Sequence, residues 1–118
     1  MVEYSRDALG SVFSALSDPT RRAILSALAR KPATVTEIAQ PFSTSLNAIS
    51  KHILVLERAG LIERRVVGRE HHCSLNPAPL RNASNWLEHY SKFWDLRLDA
   101  LEEHVLSKRK KKERARRG

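Results

Sequence analysis

The chain has 118 residues, 42% of them hydrophobic, and a formal net charge of +8. That length suits one domain around one core, and the apolar content argues against wholesale disorder. Cys73 is the only cysteine, which excludes an intrachain disulfide and the usual zinc-ribbon spacings, and no run reaches the ~18 apolar residues of a membrane span.

The charge is uneven. Residues 107–118, "SKRKKKERARRG", carry +7, and residues 19–72 carry +5 between two flanks of −2 each. The middle of the chain is basic even with the tail set aside, as expected for a nucleic-acid partner. The N-terminal "MVEYSRDALGSVF" holds charges where a secretory signal needs an apolar run, so a cytoplasmic protein is expected.

Leu9, Val12, Phe13 and Leu16 are spaced i, i+3, i+4, i+7 and predict a first amphipathic helix. Asp18 can cap a second helix, with Pro19 at its first position. That helix is expected to reach about residue 29 and to bury Ala23, Ile24, Ala27 and Leu28. Thr34 and Glu37 form a T-x-x-E capping box for a short third helix burying Val35, Ile38 and Ala39, which Pro41 ends. After the turn "FSTS", Ser45 caps a fourth helix that reaches about residue 58, with Ile49, Ile53 and Leu56 as its buried stripe. Gly60 can supply a left-handed cap.

Two β segments follow, 61–67 and 70–75, with Gly68-Arg69 as the hairpin turn. "NPAP" at 76–79 leads into a long fifth helix whose stripe is Leu80, Ala83, Leu87, Tyr90, Trp94, Leu98, Leu101 and Val105. About 29 residues of it would span roughly 43 Å, more than a domain of this size needs. The fold class is therefore mainly α with a small β-hairpin, a winged helix-turn-helix. Its fifth helix carries more apolar surface than one protomer can cover, so this helix and the first are the expected dimer face. The domain is expected to span 1–106, and 107–118 to be a basic disordered tail.

Four runs carry a family resemblance: "LSDPTRRAILSAL" (16–28), "TEIAQPFSTSLNAISKHILVLERAGLI" (36–62), "GRE" (68–70) and "LNPAPLRNASNWLEHYSKFWDLRLDALEEHV" (75–105). Over residues 5–106 the chain resembles the ArsR/SmtB family of small bacterial winged-helix repressors. The resemblance implies a homodimer, operator binding, repression of a nearby operon, and an inducer that weakens DNA affinity. For this chain the inducer would be an unknown small molecule, and the bacterial cytoplasm, at the nucleoid, would be its place of work. The founding members' metal sites use paired cysteines on the third helix, or Asp and His on the fifth. Here the third helix reads "TVTEIAQ", and His89 and His104 lie fifteen residues apart, too far to share an ion within one chain. No metal or cofactor is expected.

A helix enters the major groove with its N-terminal residues at the base edges. Asn47 can pair bidentately with adenine, Leu46 can touch a thymine methyl, and Ser50 and Lys51 can reach base or phosphate. Ser43, Thr44 and Ser45 can meet phosphates. His52 is open between a phosphate contact and half-buried packing. On the wing, strand period two sends Arg64 and Arg65 to opposite faces, and Arg65 with Arg69 are the expected DNA contacts. Arg21 and Arg22 are expected to serve ion pairs or phosphate. The rival readings are a winged helix for protein–protein contact, and a metal- or redox-responsive regulator, sensing metal through a cross-dimer site of His89 or His104 with Asp99, Glu102 or Glu103, or redox state through Cys73. An enzyme is not expected, because no nucleophile, base and orienter assemble and no Gly-rich phosphate loop occurs.

Overall fold

The computed structural model describes residues 2–117, with side chains from Ala8 to Arg116; Met1 and Gly118 lie outside it. The elements in order are α1 (Val2–Leu16), α2 (Pro19–Arg30), β1 (Ala33–Thr34), α3 (Val35–Ala39), α4 (Leu46–Arg58), β2 (Ile62–Val67), β3 (Glu70–Leu75) and α5 (Ala78–Arg117). The expected helices and hairpin are present. A third strand, β1, joins them, so the sheet is antiparallel in the order β1-β3-β2.

Local chemistry explains the helix starts. The Asp18 carboxylate accepts from the Arg21 backbone N–H at 3.1 Å, and Pro19 opens α2, where its missing N–H costs nothing. At α3 the capping box closes both ways: Glu37 N–H donates to Thr34 Oγ1 at 3.2 Å, and Thr34 N–H donates to Glu37 Oε1 at 3.1 Å. Ser45 Oγ accepts from Ala48 N–H at 3.1 Å and starts α4.

The end of α4 is a Schellman closure. Leu61 N–H donates to Leu56 O at 2.9 Å and Gly60 N–H to Glu57 O at 3.0 Å, with Gly60 at φ 78°. Leu56 and Leu61, the pair whose contact usually accompanies this motif, are both fully buried. Asn76 then fastens the turn, donating from Nδ2 to Gly60 O at 3.0 Å and from its backbone to Leu61 O at 2.8 Å. Leu61 is thus committed to the helix stop, and β2 begins one residue later than the sequence suggests. At the wing tip Gly68 has φ 63° and the next residue does not have a positive φ, the pattern of a type II′ turn.

The core comprises Val12 and Ala15 of α1, Ile24, Leu25 and Leu28 of α2, Ile38 of α3, Ile49, Ile53 and Leu56 of α4, with Leu61, Ile62, Cys73 and Ala83. The α2 stripe differs from the expected one: Ala23 and Ala27 are exposed and Leu25 is buried. The inward face follows 21, 24, 25 and 28, so the larger Leu25 takes the place expected for the alanines, and partly buried Arg21 heads the stripe. Val35 and Ala39 are half-buried against the core rather than within it.

The chain divides into two compact units, one ending at Ala83 and one beginning at Ser84. The second unit is the body of α5, a helix of 40 residues in all, or about 60 Å. Its side chains from Ser84 to Arg116 are exposed. The boundary expected at 106/107 marks a change of charge and not of secondary structure. Residues 107–117 are helical, against the expected disorder, because Lys, Arg, Glu and Ala are strong helix formers.

Two caps titrate. The Arg21 N–H holds the Asp18 carboxyl below the usual aspartate range, and the Thr34 N–H, followed by the Thr34 hydroxyl, does the same for Glu37. A carboxylate with a depressed folded-state pKa stabilises the fold above its unfolded pKa, and loses that contribution as pH falls through the folded value. Asp18→Asn with Glu37→Gln retains capping geometry and removes both titrations. Between about pH 6 and about pH 3 the double variant is expected to lose less urea resistance than the native chain. Equal losses would place the acid sensitivity elsewhere.

Candidate nucleic-acid interface

Burial of Ile49, Ile53 and Leu56 fixes the rotation of α4 about its axis. With about 100° between successive residues, the opposite face must point outward. Leu46 is 52% exposed. Asn47 and Lys51 are exposed, and Ser50 is half-buried between them and the sheet side. Asn47, Ser50, Lys51 and Leu54 share a shallow depression with Glu57 and Arg64. Ser43 and Thr44 are exposed in the turn before the cap, while the Ser45 hydroxyl is engaged by the cap bond.

Leu46 and Ser50 also line an open groove of about 630 Å³ with Arg69 of the wing and the start of α3. The helix start and the wing tip therefore face one channel. Glu37 and Glu70 border it too, but Glu37 serves the capping box and Glu70 lies 3.1 Å from His72 Nε2.

The wing is tied to α4 by an arginine. Arg64 Nε donates to Glu57 Oε2 at 3.0 Å, and Arg64 Nη1 lies 3.4 Å from His71 Nδ1. Its side chain is 22% exposed, so it anchors the wing and does not project from it. Arg65 points to the other face, and Arg65 and Arg69 are exposed, with none of the ion pairs of the described residues using either. The Glu57–Arg64 pair escaped the sequence reading. The only available signal was charge opposition seven residues apart across a turn, which many sequences contain.

His52 and Arg21 form a second tie. Arg21 Nη1 donates to His52 Nδ1 at 3.3 Å, and Asp18 Oδ2 lies 3.8 Å from the same nitrogen. The half-buried imidazole thus joins α4 to the start of α2. Arg21 also donates from Nε to Ala15 O at 2.7 Å and from Nη2 to Ser14 O at 3.2 Å, and Arg22 Nη1 donates to Leu16 O at 2.7 Å. The two guanidiniums satisfy the terminal carbonyls of α1, a use not expected from sequence, where ion pairing or phosphate contact was foreseen.

Cys73 is fully buried, facing the same side of the sheet as its cross-strand neighbour Arg64. Burial pushes its thiol up, with Arg64 opposing that shift only in part. Such a thiol stays protonated and unreactive. Among the described residues no group of three or more His, Cys, Asp or Glu is placed to hold a metal, and no helix is long and apolar enough to cross a membrane.

A family described as a helix-turn-helix domain matches residues 16–65, from the end of α1 into β2. The transcriptional repressor SdpR of Bacillus subtilis is 38% identical over 79 residues, covering 67% of this chain and 88% of that protein. A solved ArsR-like transcriptional regulator from Rhodococcus sp. RHA1 superposes with a TM-score of 0.72 at 38% identity, covering 83% of this chain and 92% of that one. A homodimeric winged helix-turn-helix domain from Mycobacterium bovis shares the fold, with a TM-score of 0.60 at 23% identity over 75% of this chain and 83% of that one.

The buried, protonated state of Cys73 has a direct readout. An aromatic disulfide reagent is expected to label native protein orders of magnitude more slowly than urea-unfolded protein, at a rate set by opening of the fold. Rapid labelling without unfolding would restore the thiol as a candidate redox input.

Proposed function

Because this chain belongs to the ArsR/SmtB-type family of winged helix-turn-helix, DNA-binding transcriptional regulators, we propose that it is a homodimeric repressor that reads a two-fold operator through α4 and the wing. The observation that carries this reading is the shared channel: Leu46 and Ser50 of α4 and Arg69 of the wing border one open groove, on the flank of α4 between its buried stripe and the exposed face that holds Asn47 and Lys51. A polar helix start beside a cationic ribbon suits base edges on one side and phosphate on the other.

In this reading Asn47 pairs with adenine and Leu46 meets a thymine methyl. Ser50 and Lys51 contact base or phosphate. Ser43 and Thr44 contact phosphate, while Ser45 presents the helix N-terminus. Arg65 and Arg69 lie along the adjoining backbone or minor groove. His52 acts behind the interface, since its Nδ1 is held by Arg21, and any phosphate contact falls to Nε2.

The dimer is supported by the homodimeric neighbour and by the exposed aromatic stripe of α5, which includes Tyr90 and Trp94. Two copies of α4 would then enter successive major grooves about 34–36 Å apart on one face of the duplex. A small-molecule inducer would act by favouring a dimer whose helices no longer match that spacing. The site of action is the bacterial nucleoid in the cytoplasm.

Selection of bound duplexes from a random pool supplies the operator, and titrations on it test the roles. Asn47→Ala is expected to weaken operator binding by about 1–3 kcal/mol and to relax preference at one position per half-site. Arg65→Ala should weaken all duplexes alike and reduce the salt slope by about 1 for each protomer on the duplex. A native chain that binds no duplex at low ionic strength contradicts the proposal.

A further inference from the structure

The basic end of α5 has no part in the reading above. The apolar stripe of α5 stops at Val105 and Leu106. From Lys108 to Arg116 the helix carries seven Lys and Arg and a single Glu, all exposed. Cations occupy every side of the helix: Lys108, Lys111 and Lys112 stack at i, i+3 and i+4, and Lys110 and Arg114 at i, i+4. Like charges at these spacings repel and destabilise an isolated helix. A partner that neutralises them would relieve that repulsion and strengthen the helix.

The stretch contains no large apolar side chain, so it has no face to insert into a bilayer, as an interfacial helix must. It contains no aromatic residue for stacking on unpaired bases. What remains is cationic charge at close spacing, which fits a polyanion read by charge alone. The phosphates of duplex DNA lie at about one charge per 1.7 Å of axis, denser than the segment's own charge along its length.

We propose that the helical segment 108–116 is a second DNA-binding surface, which engages duplex phosphates without regard to sequence and adds to the affinity set by α4 and the wing. This inference rests on the DNA-binding reading above. Its effect is to release counterions, to raise non-specific affinity and to hold the protein near DNA while it searches.

The test compares full-length native protein with a variant carrying Lys110→Gln, Lys111→Gln, Lys112→Gln and Arg114→Gln, on the selected operator duplex and on a scrambled duplex of equal length. Glutamine keeps helix propensity, and circular dichroism checks that the helix is retained. The variant is expected to weaken on both duplexes by the same factor. Its slope of log affinity against log salt should be shallower by about 2–3.6 for each segment engaged, so that between about 50 and 200 mM salt the native chain loses about 16- to 150-fold more affinity than the variant for each such segment. A charge-preserving variant, Arg109→Lys with Arg114→Lys and Arg116→Lys, should keep the native slope.

An unchanged slope in the glutamine variant, with operator binding intact, overturns this inference and leaves the operator reading standing. So does a loss confined to vesicles rich in phosphatidylserine. So does a loss confined to self-association, which would mean that the segment pairs with the acidic stretch around Asp99, Glu102 and Glu103 of a second copy. If the native chain binds neither duplex, both readings fall together.

Discussion

The proposed interface depends on one packing constraint, the complete burial of Ile49, Ile53 and Leu56 along α4. Removing the side chain of such a residue typically costs about 2–5 kcal/mol, a large share of the stability of a small domain. The helix cannot turn about its axis without exposing one of the three. Its N-terminal polar residues are consequently held outward at a fixed angle, whether or not DNA is present. The Ser45 cap fixes where the helix begins, and the Schellman turn at Gly60 fixes where it ends. In the proposed reading, recognition is thus prepared by the hydrophobic core before any ligand arrives, and little ordering entropy is left for binding to overcome.

Two polar ties carry this constraint outward. Glu57 and Arg64 join the last turn of α4 to β2, so the wing inherits the orientation of the helix. His52 and Arg21 join the middle of α4 to the start of α2, while the Arg21 guanidinium also completes the end of α1. Each tie is partly exposed, so its energetic contribution is modest. The value of these ties is geometric. Arg64 spends its charge inward, which leaves Arg65 and Arg69 as the cations of the wing that face solvent. The division follows from strand period alone, since Arg64 shares a face with buried Ile62 and Arg65 does not.

Much of this was legible in the sequence because it is local. Asp18-Pro19, Thr34 with Glu37, Ser45 and Gly60 are punctuation whose chemistry acts within a few residues, and the three-residue stripe of α4 is a plain helical period. What stayed hidden is non-local or too short to show a period. The two residues of β1 cannot display alternation, and they become a strand only because β3 lies beside them. The burial of Leu25 in place of Ala23 and Ala27 depends on how α2 is rotated against its neighbours. The use of Arg21 and Arg22 on the α1 carbonyls depends on the angle between two helices. In the charged end of α5, net charge argued for disorder and propensity for helix, and propensity prevailed. The candidate contacts Ser43, Thr44, Asn47, Lys51, Arg65 and Arg69 were readable as exposed positions and Ser50 as a position on the edge of the stripe, but a partner's contacts are not written in the free chain.

Titration of isotope-labelled protein with its selected duplex, followed by backbone amide shifts, tests the central claim most directly. The core-fixed orientation of α4 predicts that the largest changes fall on residues 43–51 and 65–69, while the amides of Ile53 and Leu56 move little. Changes concentrated instead along residues 86–105, with the start of α4 silent, would contradict it.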